Sequence, residues 1–399
     1  MSARRALVVA DSDSYLKWGV TRMGDLPSSW DVELVVVANA VTPSGSQRAA
    51  AVDGRLPAEP PVVTLKDLVA RLRAAPPDLL FLACRGPLIE VLLLDELRGE
   101  RPAAVIAAGI PGIWFPPTEL GVAMRAGVDL LVVHSERERT AVEAMLPSGR
   151  LAEVGLASLL LGAQVGHSDR RRVVFAPQAL VPAGREDRVR LLDALAATAS
   201  EHPELDVVIK LRGEAGEAQT HAETASFPEL ARGRTLPPNL LFAQGPLRDF
   251  LGDCAGFVTV SSTAALEAVE AGAPCLILSD FGVSAEVINV VFEGSGLMGT
   301  LEDLVALRFR DPDPAWLAQN YFHEASASDW VARVDALVEL GPDRPERPLD
   351  PRLGGFRHTP ARVRRRAMAL GTADAFPFNL VYGAVHGALA AYYRLRARS

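Results

Sequence analysis

The sequence predicts an α/β protein built from two doubly wound domains, and three observations lead there. At 399 residues the chain exceeds what one hydrophobic core usually organises, since single cores stop growing at roughly 250 to 300 residues. Hydrophobic residues make up 49% and charged residues 23%, so large cores can be buried and a disordered or fibrous chain is excluded. Short β-branched or apolar runs alternate with longer helix-like stretches, the pattern of βαβ units around a parallel sheet covered on both faces.

In the first half, strands are predicted over 6–10, 32–38, 79–83, 104–107 and 130–134. Leu65, Leu68, Val69 and Leu72 recur at helical spacing within 62–74, and 88–98 reads as another helix. After a polar stretch at 166–172 a second series follows, with strands over 173–176, 207–211, 240–243, 256–260 and 275–279 and helices over 187–199 and from Ser262 onward. The division is an N-terminal Rossmann-like domain over 1–165, a second over 166–345, the two facing a cleft, and an extension over 346–399. A Pro-rich surface loop over 341–351 leads into that extension, which is expected to carry a basic run at 362–366 and a final helix over 378–395 packing back on the first domain, while 329–340 reads as a helix before the loop.

A formal net charge of -8 argues against a general nucleic-acid binder, because counterion release needs clustered Lys and Arg. Cys84, Cys254 and Cys275 lie far apart in apolar surroundings, which suggests neither a disulfide framework nor a CxxC metal site and fits a reducing cytoplasm. The apolar run 6–10 behind Arg4 and Arg5 is too short for a signal peptide. No stretch reaches the roughly 18 to 20 apolar residues of a membrane span; peripheral membrane contact and a homodimer stay open.

In open parallel sheets ligands bind at the carboxyl ends of the strands, where loops converge and helix N-termini present free N–H groups. The sharpest cluster there is Thr259-Val260-Ser261-Ser262-Thr263, where hydroxyls end a strand and a helix carrying Glu267 opens. Such donors suit a phosphate; an ordinary Ser/Thr cap is the plain alternative. A second element, Val207-Val208-Ile209-Lys210-Leu211-Arg212, ends a strand in two cations able to neutralise a diphosphate, or simply solvated.

The hydroxyl-bearing strand end, the helix with Glu267, then Gly272-Ala273-Pro274 and an apolar strand together resemble the donor-binding half of GT-B glycosyltransferases, nearest to the bacterial sialyltransferase, polysialyltransferase and CDP-glycerol transferase groups. The resemblance covers about 173–301 and implies that Ser261, Ser262, Thr263 and Glu267 hold the donor, with Lys210 and Arg212 on its nucleotide and Gly245 near the base. The His-Pro pair of those families is absent after Lys210, which leaves the base open: CMP- or CDP-linked donors are favoured, with UDP as an alternative. It further implies a nucleotide-sugar co-substrate rather than a bound cofactor, a glycan or small-molecule acceptor, and a place in cell-surface or capsular glycan synthesis.

An inverting transferase needs a carboxylate to take the acceptor's proton. Asp11 and Asp13 leave the first strand together, and each is expected to raise the other's pKa; Asp13 is preferred, and capping of the next helix is the alternative. Arg85, Trp114, His134 and Asp280 follow other strands as acceptor-side candidates, each with a packing or capping alternative. Metal ligation is not indicated, since Asp11-Ser12-Asp13 stands too early in the chain for a metal-binding Asp-x-Asp. Two further readings stay open: a sugar-nucleotide epimerase, which uses the same architecture with several acids and a His, and a noncatalytic nucleotide-sugar-binding protein.

Overall fold

The computed structural model describes residues 3–52, 54–146, 152–159, 169, 171–178, 181–211, 225–341 and 359–374. The chain divides into two compact units, one comprising Met1–Val133, Arg139–Ala157 and Ala325–Ser399, the other His134–Glu138 and Ser158–Glu324.

Unit 1 carries β1 (Arg4–Ala10), β2 (Trp30–Val37), β3 (Val62–Val63), β4 (Leu79–Ala83), β5 (Val105–Gly109), β6 (Leu130–Val133) and β7 (Glu153–Leu156). They form one parallel sheet in the order β3-β2-β1-β4-β5-β6-β7. The central strands are apolar at nearly every position because both faces are covered. Alternation along β1 divides its side chains: Leu7 and Val9 enter one core, Ala6, Val8 and Ala10 the other. Chain order reverses between β1 and β4, which run in register with Ala10 beside Ala83, so the loops leaving these strands flank a topological switch point.

Unit 2 carries β8 (Arg172–Phe175), β9 (Asp206–Lys210), β10 (Leu240–Ala243), β11 (Cys254–Thr259), β12 (Cys275–Leu278) and β13 (Met298–Gly299). Its sheet is parallel in the order β10-β9-β8-β11-β12-β13. The helix Arg185–Glu201 buries Leu191, Leu192 and Leu195 against Val173, Phe175, Val207 and Ile209. Here the switch point falls between β8 and β11, with Phe175 beside Val258.

Several boundaries differ from expectation. The short strands β3, β7 and β13 were not foreseen; two of them have only two residues, too few for an apolar period. The stretch 88–98 is a helix Gly86–Glu90 that widens into a π-helix over Val91–Glu96. The second domain ends near Glu324 rather than 345, because the helix Trp330–Leu340 belongs to unit 1's core. Trp330 is buried there with its ring 5.5 Å from Phe81 and its Nε1 donating to Asp25 Oδ2 at 2.9 Å. The helix expected over 378–395 lies outside the described residues, but the helix Thr359–Ala369 does pack on unit 1, with Ala369 and Leu370 in its core. No described helix is long and apolar enough to cross a membrane.

Candidate functional site

The hydroxyl cluster leaves β11 at the switch point of unit 2. Thr259, buried at the strand end, donates through Oγ1 to Ala176 O at 2.8 Å and accepts from Ser262 N at 3.3 Å. Ser261 is buried, and its hydroxyl bonds Gln178 Oε1, while Gln178 Nε2 donates to Ser261 O at 3.0 Å. Ser262 is half-buried and its Oγ accepts from Ala264 N at 3.2 Å, at the opening of the helix Ala264–Glu270. Thr263 is exposed and makes no side-chain cap. Three adjacent hydroxyls thus have three different environments, and the loops after β8 and β11 are sewn together around them.

Lys210 ends β9, the neighbour of β8, and is half-buried. Glu267, on the first turn of the helix Ala264–Glu270, is pushed up in pKa by burial, partly offset by the positive charge of Lys210 and reinforced by Glu270. Lys210 and Glu267 are therefore electrostatic neighbours, which chain separation alone does not reveal. Arg212 lies outside the described residues. Gly245 is exposed with φ of +115°, a conformation that strains any side chain, at the end of the strand beside β9. Asp280, beyond β12, accepts from Leu301 N at 2.9 Å and so holds the start of the helix Leu301–Val305, the capping alternative.

In unit 1, Asp11 and Arg85 face one another across the switch point. Asp11 is fully buried; its carboxylate accepts from Arg85 N at 3.2 Å and Arg85 Nε at 2.8 Å. Its pKa is raised, as expected, but the largest cause is burial, opposed by the Arg85 charge, and Asp13 is not among the causes. Arg85 also reaches Asn39 Oδ1 at 3.1 Å and Ala369 O at 3.1 Å, and Asn39 Nδ2 donates to Asp11 O at 2.7 Å. These bonds tie the exits of β1, β2 and β4 together, with Asp11 buried and Arg85 half-buried. Asp13 differs: at the first position of the helix Asp13–Met23, it is partly exposed and holds Lys17 Nζ at 2.7 Å through Oδ2.

Trp114 is buried beneath Arg125, whose guanidinium lies 5.6 Å from the ring. That guanidinium, itself buried, donates to Gly109 O at 3.1 Å and to Tyr15 Oη at 2.9 Å, so the packing alternative holds for Trp114. His134 is buried within unit 2; its N–H donates to Glu138 Oε2 at 2.8 Å, and Tyr321 Oη donates to Glu138 Oε1 at 2.6 Å. Sequence reasoning missed Gln178, Asn39 and Arg125. Each is a single polar residue near a strand exit or in the turn after a short helix, and only the topology shows what it faces. An open groove of 620 Å³ lined by Ala196, Pro203, Leu236 and Asn239 lies at the amino ends of β9 and β10, the edge opposite Ser261. Among the described residues no three His, Cys, Asp or Glu side chains gather as a metal site.

Two doubly wound parallel sheets with a polar-bridged switch point in each define a two-domain α/β fold of the GT-B type. The solved structures similar to this chain agree. S. aureus MnaA in a co-structure with UDP is 10% identical with a TM-score of 0.57, over 86% of this chain and 99% of that one. UDP-GlcNAc 2-epimerase from Methanocaldococcus jannaschii is 10% identical with a TM-score of 0.54, over 83% and 99%. Identities this low speak for the fold alone. Among curated proteins no sequence matches this chain. The family is shown by the profile described as "Putative glycosyltransferase (DUF6716)", which matches residues 6–337; the chain belongs to that family. The narrower relation to sialyl- or CDP-glycerol transferases rests on the sequence resemblance alone.

Proposed function

We propose that this protein transfers a sugar from a pyrimidine-nucleotide donor to an acceptor hydroxyl with inversion, the donor phosphate resting on the turn after β11. The observation that carries the reading is the position of the hydroxyl turn at the unit 2 switch point. Ser262 Oγ there accepts a backbone N–H, so its own proton remains available to a phosphate oxygen. Lys210 stands at the exit of β9, separated from β11 by β8 in the same sheet, and we assign Arg212 to the same phosphate. A cation and hydroxyls at that edge stabilise the charge that develops on the leaving phosphate as the anomeric C–O bond breaks. Glu267, held near Lys210, is assigned to donor hydroxyls, and the glycine-only turn at Gly245 to the base, where a side chain would obstruct. The UDP held by the S. aureus neighbour favours a pyrimidine.

The acceptor oxygen forms the new bond to the anomeric carbon while its proton passes to a carboxylate, and we assign that base to Asp13. Asp11 is buried and paired with Arg85, which favours the partly exposed Asp13 for that role.

The test is a thermal-shift panel of UDP, CDP, CMP and GDP with the wild-type protein and two variants. A ligand at one hundred times its Kd stabilises the native state by about 2.7 kcal/mol, so a pyrimidine nucleotide should raise the melting temperature by several degrees. Ser262→Ala should need about tenfold more nucleotide for the same shift. Asp13→Asn should keep the wild-type shift while transfer falls by about 100-fold or more. No shift with any nucleotide would remove the donor site. A donor isomerised with no acceptor present would instead point to epimerisation, the activity named for the archaeal neighbour.

A further inference from the structure

Resting on that donor reading, we propose that Gln178 and Arg188 are positioning residues for the donor phosphate, and that they divide labour between the paired serines. Ser261 is the structural hydroxyl and Ser262 the one that meets the ligand.

Arg188 lies in the first turn of the helix Arg185–Glu201 and is fully buried. Its Nε donates to Pro182 O at 2.9 Å, Nη1 to Ala225 O at 3.1 Å and Nη2 to Gln178 O at 2.9 Å. The guanidinium also stands 5.7 Å from the centre of the Phe227 ring. A buried guanidinium is costly unless its donors are met. Here they are met by carbonyls of the chain leaving β8 and of the stretch ahead of the helix Phe227–Ala231. The charge thus fixes the backbone of Gln178.

From that fixed backbone the Gln178 amide reaches across the switch point. It takes both polar groups of Ser261, donating to the carbonyl at 3.0 Å and accepting from the hydroxyl. The Ser261 proton is thereby turned inward. Ser261 O cannot move without losing this bond, so the next residue, Ser262, is held with Oγ against Ala264 N at 3.2 Å. Thr259 braces the same turn from below through Ala176 O. The relay runs from Arg188 through Gln178 and Ser261 to Ser262, and every member lies in unit 2.

Gln178→Glu breaks the relay with almost no change of shape: the acceptor for the Ser261 hydroxyl remains, while the donor to Ser261 O becomes an oxygen that repels it. Calorimetric titration with UDP should be carried out on the wild type, Ser262→Ala, Gln178→Glu and the double variant. Each single substitution is expected to raise Kd about tenfold, and the double also about tenfold rather than a hundredfold, because Gln178 acts through Ser262. A merely structural role would give additive losses. Arg188→Lys, which keeps the charge but lacks the fork, should show the same non-additivity with Ser262→Ala and serves as the independent variant. A double variant whose loss is the product of the singles, or a Gln178→Glu protein that binds UDP as the wild type does, overturns the positioning role and leaves the donor site standing. A wild type that binds no UDP overturns the donor reading and this proposal with it.

Discussion

At Ile288 the backbone enters the left-handed region with φ of 61°, where a β-branched side chain crowds the neighbouring carbonyl. The residue closes a single helical turn, its N–H bonded to Ser284 O at 3.0 Å. Asn289 locks the loop by donating to Gly282 O at 2.9 Å and accepting from Ser284 N at 3.2 Å. The Ile288 side chain is 44% exposed, so packing offsets little of the strain. Glycine accepts this conformation freely. Ile288→Gly is expected to stabilise unit 2 by about 1 kcal/mol, the relief of strain less glycine's unfolded-state entropy, seen as a melting temperature higher by roughly 2 to 4 °C. A lower melting temperature would mean that the side chain packs more than its exposure suggests. The loop leaves the carboxyl end of β12, beside the strand that carries the hydroxyl turn, and strain held at such an edge is a common mark of a working site.

At the scale of elements, ion pairs decide which ends stay in place. The helix Leu301–Val305 is started by a reciprocal cap between Thr300 and Asp303. Asp303 also accepts from Arg308 Nε at 2.6 Å and Arg310 Nη2 at 3.1 Å. The Arg308 hydrogen bond, then the Thr300 N–H and Arg310, outweigh burial and lower the Asp303 pKa to about 2. A carboxyl with a depressed folded pKa stabilises above its unfolded value, and that stability is lost as pH falls through the folded one. Asp303→Asn should therefore melt below the wild type at pH 7, and the two melting curves should converge between the ordinary carboxylate range and about 2. A gap that persists at the acid end would assign the effect to capping geometry instead. The basic run at 362–366 follows the same logic. Arg365 clasps Asp95 and Arg366 clasps Glu96 and Asp374, with both π-helical acids offered by Val91–Glu96. Arg365 and Arg366 thus clamp the run to the π-helix, while Arg364 is exposed.

For the whole molecule the decisive side chain is Trp330, which with Val334 and Leu337 completes a core otherwise drawn from the first 157 residues. A Cβ at Gly155 would stand 2.9 Å from its backbone, so glycine is required where β7 passes beneath it. Trp330→Ala should cost about 3 to 5 kcal/mol and fall on unit 1 alone, since unit 2 has its own core. Scanning calorimetry should show one transition moved down and one unmoved; two transitions falling together would show a single cooperative block.

Apolar periodicity and a hydroxyl-rich strand exit are local signals, so the alternation of strands and helices, the two doubly wound sheets and the hydroxyl cluster at 259–263 are legible in the chain. Lys210, Glu267 and Ser262 stand out in the sequence because each lies at or just after a strand exit. Which polar groups face one another follows instead from how the strands are ordered in each sheet. Asp11, a candidate base beside the preferred Asp13, is bound by Arg85; Asp280, an acceptor-side or capping candidate, holds Leu301 N; and Gln178 carries no signal until β8 and β11 come together. Strand order depends on pairings between residues far apart in the chain. Two loops separated by 83 residues meet at a switch point that no local pattern encodes.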